Sequence, residues 1–98
     1  MNIRKSTEST KLTIALEGRL DTTTAPALEA ALRSAMTDIH DVIFDFEKLE
    51  YISSAGLRVL LSAHKQMLGK GGMKVKNANE IVREVFDVTG FGDILTIE

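Results

Sequence analysis

Few residues in this 98-residue chain could carry chemistry. Ser53 and Ser54 stand side by side, followed by Ala55-Gly56-Leu57, and His40 and His64 are the two histidines. An enzyme needs a nucleophile, a base or a metal cluster that converges. Ser54 and His64 do not make such a pair. Both fall on one predicted helix, and a rise of ~1.5 Å per residue puts them about 15 Å apart along its axis. His64 follows the apolar spacing of that helix and reads as a structural residue, while His40 sits in the turn before a strand. No His-Glu-x-x-His, Cys-x-x-Cys or Asp-rich metal loop occurs. Gly69-Lys70-Gly71-Gly72 has a superficial likeness to a phosphate-binding loop, but it follows a helix and precedes a strand, the reverse of that motif's order. It also lacks Ser or Thr after the lysine, and reads as a turn. The expectation is a protein that is not an enzyme and uses no cofactor or metal.

The paired serines have a structural use first. They follow Asp45-Phe46-Glu47-Lys48-Leu49-Glu50-Tyr51-Ile52, read as the end of a buried strand and a short loop, and they open a helix. Either Ser53 or Ser54 can be the N-cap, accepting a backbone N–H bond. Gly56 in the first turn is less ordinary, because glycine costs ~1 kcal/mol against alanine inside a helix. Its position predicts a close approach to the backbone, by a neighbouring element or by a partner.

The elements that must hold these residues follow from the two hydrophobic periods. Lys11 to Glu17 alternates, with Leu12, Ile14 and Leu16 on one side, and reads as a strand with one solvated face. Residues 2 to 7 are its weaker hairpin partner, with Ser9-Thr10 in the turn. Gly18 to Thr24 reads as a polar loop. Thr24 caps and Pro26 opens a first helix over roughly 25 to 36, carrying Leu28, Leu32, Ala35 and Met36. Val42 to Phe46 is a nearly continuous apolar run, read as a central strand buried on both faces. Leu57, Leu60, Leu61, His64, Met67 and Leu68 mark one face of the second helix, which Gly69 stops. Arg58 and Val59 lie off that face, so an exposed Val59 beside Arg58 suits a partner contact. A strand follows near 73 to 77. Asn79 then caps a third helix with Ile81, Val82, Val85 and Phe86 inward, Gly90 ends it, and Ile94, Leu95 and Ile97 form a last strand. The order is β-β-α-β-α-β-α-β, an α/β domain with much of one sheet face left open.

Bulk properties bound the class. A chain of this length builds one core, and 44% hydrophobic with 27% charged residues is ordinary for a globular domain. The net charge of −2 comes from interspersed signs without a Lys/Arg run, which disfavours nucleic-acid binding. With no cysteine there is no disulfide, thiolate metal site or Cys nucleophile. The first residues lack the apolar core of a signal peptide, and no apolar run is long enough to span a membrane. A cytoplasmic location without membrane insertion is the default expectation.

Tyr51-Ile52-Ser53-Ser54-Ala55-Gly56-Leu57 resembles the signature of the STAS domain, the family of bacterial anti-sigma factor antagonists. There a buried strand leads through an apolar pair into Asp-Ser-(Ser/Ala/Thr)-Gly-Leu. Gly18-Arg19-Leu20-Asp21 resembles the family's Gly-x-Leu-Asp loop, and the element order matches, so the resemblance covers essentially residues 1–98. It implies one STAS-like domain, a mixed and mostly parallel β-sheet with helices packed mainly on one face. It also implies partner switching. The unphosphorylated protein binds an anti-sigma factor that is itself a serine kinase and frees the sigma factor; phosphorylation of the serine ends this, and a protein phosphatase restores it. By position that serine is Ser54. Asp21, Thr22 and Thr23 match the loop beside it and, with Ser53, Ala55, Gly56, Leu57 and Arg58, form the implied partner-binding surface. Ser53 stands where many antagonists have Asp, which alters the local charge and makes it a rival phosphoacceptor ranked behind Ser54. The expected assembly state is a monomer or weak dimer. The leading alternative is a non-phosphorylated STAS adaptor subunit docking a transporter or another signalling complex. A second rival is a small-ligand or nucleotide-binding domain that cradles a phosphate between residues 21–24 and 53–56.

Overall fold

Strands with an apolar residue at every second position bury one face and need helices to cover it. The computed structural model describes residues 1–98 and meets that need on one side of a single sheet. The elements are β1 (Asn2–Glu8), β2 (Lys11–Leu20), α1 (Ala25–Ala35), β3 (Asp41–Ile52), α2 (Ser54–Gln66), β4 (Gly72–Lys76), α3 (Glu80–Thr89), a 3-10 turn (Phe91–Asp93) and β5 (Thr96–Ile97). Spatial order equals sequence order, β1-β2-β3-β4-β5. β1 pairs antiparallel with β2 across the Ser9-Thr10 turn, and every later pair is parallel.

One apolar cluster fills the space between sheet and helices. Leu12, Ile14 and Leu16 of β2 and Val42, Phe44 and Phe46 of β3 meet Leu28 and Leu32 of α1, Leu57 and Leu60 of α2, and Val82 and Phe86 of α3. Phe46 stacks on Phe86 with ring centroids 6.5 Å apart, locking α3 over β3. The other face carries Thr13, Ala15 and Glu17 of β2 with Ile43 and Asp45 of β3, all half-buried. The expectation that β3 is buried on both faces is therefore corrected. Helices cover only the face of Val42, Phe44 and Phe46.

β3 is also longer than its sequence suggests. It runs twelve residues to Ile52, with no loop after Phe46. Ala15 pairs with Asp45 but Glu17 with Lys48, and Gly18 with Leu49 but Arg19 with Tyr51. Each shift places one extra residue in β3, a β-bulge. A bulge resets which residues point inward. The buried positions accordingly run 42, 44, 46, then 49, then 52. β2 likewise continues to Leu20, so the loop expected over 18–24 shrinks to residues 21–24.

Two helix faces are narrower than expected. Leu68, 66% exposed, and Ile81, 57% exposed, stand off the core. Leu61, His64 and Val85 are half-buried. The chain's last strand is reduced to Thr96–Ile97, because the 3-10 turn takes up the residues before it and leaves Ile94 outside.

Candidate functional site

The bulges in β3 decide what sits at the end of the sheet. With two extra residues absorbed, Arg19 lies opposite Tyr51 and Leu20 opposite Ile52, so β2 and β3 finish together. The Ser53 N–H then donates to the Leu20 carbonyl at 2.8 Å. That bond brings the 21–24 loop and the start of α2 to one edge of the molecule.

The loop is organised by Asp21. Its Oδ1 accepts from the Thr23 hydroxyl at 2.7 Å and from the Thr23 and Thr24 N–H groups at 3.0 and 3.2 Å. These bonds stabilise the ionised carboxylate, the Thr23 hydroxyl most, and outweigh partial burial to hold Asp21 below the usual carboxylate range. Thr24 is the N-cap by position, yet its hydroxyl makes no capping bond. It accepts from the Asp21 N–H and donates to the Arg19 carbonyl, both at 2.8 Å, tying the loop to the end of β2. The Arg19 guanidinium lies 4.5 Å over the Tyr51 ring and 4.0 Å from Asp21 Oδ2. Arg19 and Tyr51 were not singled out from sequence, because their contact exists only in the register that the bulges create.

At the start of α2 the two serines separate. Ser53 has extended backbone geometry, φ −99° and ψ 176°, and its Oγ accepts from the Gly56 N–H at a long 3.5 Å. Ser53 is thus the N-cap. Ser54 is the first helical residue and is exposed, its hydroxyl free of hydrogen bonds to the chain. Gly56 answers the question its position raised. A Cβ there would lie 2.6 Å from Leu20 Cγ and 2.9 Å from Ile52 Cγ1, so neighbouring strands approach it, and no partner is needed to explain it. Gly56 and Leu57 are both buried and hold the helix start in place from below.

The surface of the site is a shallow groove between α1 and α2. Thr22, Pro26 and Glu29 line one side, and Ala55, Arg58 and Ser62 the other. Thr23 is exposed in the adjoining loop. Val59 is corrected: it is 7% exposed, packed into the core cluster at the base of this groove. The α1–α2 contact covers the side of α2 that the apolar spacing alone left open. Arg58 does face solvent.

Sheet order, helix placement and the Ser53–Leu57 junction together define a STAS domain. A family model for that domain matches residues 2–98, and the chain belongs to the STAS family. Among its relatives is a Bordetella bronchiseptica protein named as the anti-sigma factor antagonist BtrV. It is 39% identical over 85 residues, which are 84% of this chain and 72% of that protein. The anti-sigma-B factor antagonist of Bacillus subtilis is 26% identical over 98 residues, 99% of this chain and 90% of the relative. The anti-sigma factor antagonist SpoIIAA in its unphosphorylated form has the same fold, with a TM-score of 0.85 at 22% identity, covering 99% of this chain and 88% of that one.

Proposed function

We propose that this protein is an anti-sigma factor antagonist whose binding is switched by phosphorylation of Ser54. Unphosphorylated, it docks on an anti-sigma factor that is a serine kinase, through the 21–24 loop, the start of α2 and the groove between α1 and α2. The docked kinase releases its sigma factor, then modifies Ser54 and loses its grip, and a protein phosphatase resets the cycle. Such a cycle works beside RNA polymerase, in the cytoplasm. The chain itself performs no catalysis in it.

The observation that carries this reading is the exposure of the Ser54 hydroxyl at the first position of α2, while Ser53 is engaged as the cap. A helix N-terminus tolerates an added anion, with ~0.3–1 kcal/mol of favourable dipole interaction at the surface. The added charge of about −1.5 to −2 is unwelcome only where a partner closes over it. An unpaired charge buried in an interface costs several kcal/mol, enough to change affinity by orders of magnitude. Asp21 stays ionised beside the site and adds like-charge repulsion. Two relatives support the assignment by their names, and SpoIIAA has been solved in a phosphorylated as well as an unphosphorylated form.

The test is incubation with the cognate kinase and ATP, followed by peptide mass mapping. One phosphate on the peptide carrying Ser54, absent from Ser54→Ala and retained in Ser53→Ala, is the expected result. Modification of Ser53 instead, or none, contradicts the assignment.

A further inference from the structure

We propose that Arg58 is the residue that receives the phosphate once Ser54 is modified, clamping it along the face of α2. This rests on Ser54 as the phosphoacceptor. Ser54 is the first residue of α2 and Arg58 is four residues further on, so the two occupy the same helix face one turn apart. The anion is N-terminal to the cation, the more favourable orientation of such a pair. Both side chains are exposed, and Arg58 takes part in none of the three ion pairs in the molecule.

The alternative cation at this edge is already engaged. Arg19 lies over Tyr51 and beside Asp21. The remaining charged groups around the groove, Asp21 in the loop and Glu29 on α1, are negative and push a phosphate away. Arg58 is thus the one uncommitted positive charge within a helical turn, and its guanidinium suits two phosphate oxygens at once. The pairing has a second consequence. Before modification Arg58 is a free cation on the wall of the groove, available to an acidic group of the docked kinase. After modification it is neutralised by its own chain. Phosphorylation then adds an anion and withdraws a cation in one step.

The test installs phosphoserine at position 54 during translation, by codon suppression, so no kinase is involved. The second ionisation of the phosphate is followed by phosphorus NMR against pH in the full chain, in Arg58→Gln and in Arg58→Lys. The clamp favours the dianion, so the pKa in the parent chain should lie about 0.3–0.7 units below that in Arg58→Gln at low salt. Arg58→Lys should fall between, and 1 M salt should shrink the difference. Asp21, Glu29 and the helix dipole are common to all three chains, so they do not enter the comparison. Equal pKa values in the parent chain and Arg58→Gln overturn the clamp. Failure of a kinase to modify Ser54 would overturn the phosphoacceptor assignment and leave this measurement readable.

Discussion

At the first turn of α2 two adjacent serines are placed differently, Ser53 as the cap and Ser54 exposed as the first helical residue. The capping bond of Ser53 is long, 3.5 Å, so Ser53→Ala should cost only about 0.5 kcal/mol in urea unfolding, the low end for a cap. Asn79 caps α3 with a 2.8 Å bond to the Val82 N–H, and its amide also donates to the Leu49 carbonyl at 3.0 Å. Asn79→Ala should therefore lose more, about 1–2 kcal/mol, and the reverse ranking would contradict this account of the caps. Asp21 supplies a pH signature. Its folded pKa lies below its unfolded value, chiefly through the Thr23 hydroxyl bond. Its contribution is therefore present above the unfolded pKa of ~3.9 and is lost as pH falls through the lower folded value. Thermal melts of the parent chain and Asp21→Ala should differ at neutral pH and converge in the acid range. A difference that stays constant with pH would show that the carboxylate is not the cause. Ser53, Ser54 and Gly56 were legible as a helix start because capping and glycine preferences are local. The Arg19–Tyr51 contact was not, since it depends on a partner strand's register.

The elements tell the same story one level up. The helix starts at Pro26, Ser53 and Asn79 and the left-handed stop at Gly90, φ 79°, lie where local signals put them. β3 was cut short in sequence because a strict two-residue period fails at Glu47 and again at Glu50. Both failures are bulges: the first turns Leu49 to the core side, and the second brings Ile52 back to it. Val59 and Ile81 were misplaced because helical spacing fixes an apolar stripe but not its neighbours. α1 covers Val59, whereas Ile81 has no covering element. Gly56 ties α2 to the strand ends. In an open helix Gly→Ala gains ~1 kcal/mol, but here the new methyl meets Leu20 and Ile52, both fully buried. Overpacking of that kind costs ~1–3 kcal/mol. Gly56→Ala should therefore destabilise in urea titration, and the double mutant with Leu20→Ala should recover part of the loss. A stabilised Gly56→Ala would mean that the strands do not press on the helix start.

For the molecule as a whole, the fold keeps the proposed phosphorylation site apart from the core. Ser54 lies outside the apolar cluster that joins the three helices to the sheet. A charge placed on it should leave the far-UV circular dichroism unchanged and move the melting temperature of Ser54→Asp by less than about 5 °C. A large loss of helicity would instead indicate a switch that works by unfolding. The overall architecture was legible because alternating periods fix the element order, and the open sheet face showed in Lys11, Thr13 and Glu17, which alternate with Leu12, Ile14 and Leu16. The central claim is that Ser54 controls docking from the surface. Titration calorimetry of Ser54→Ala and Ser54→Asp against the cognate anti-sigma kinase tests it most directly. The account predicts parent-like affinity for Ser54→Ala and at least a tenfold weaker complex for Ser54→Asp, and equal affinities for the two would contradict it.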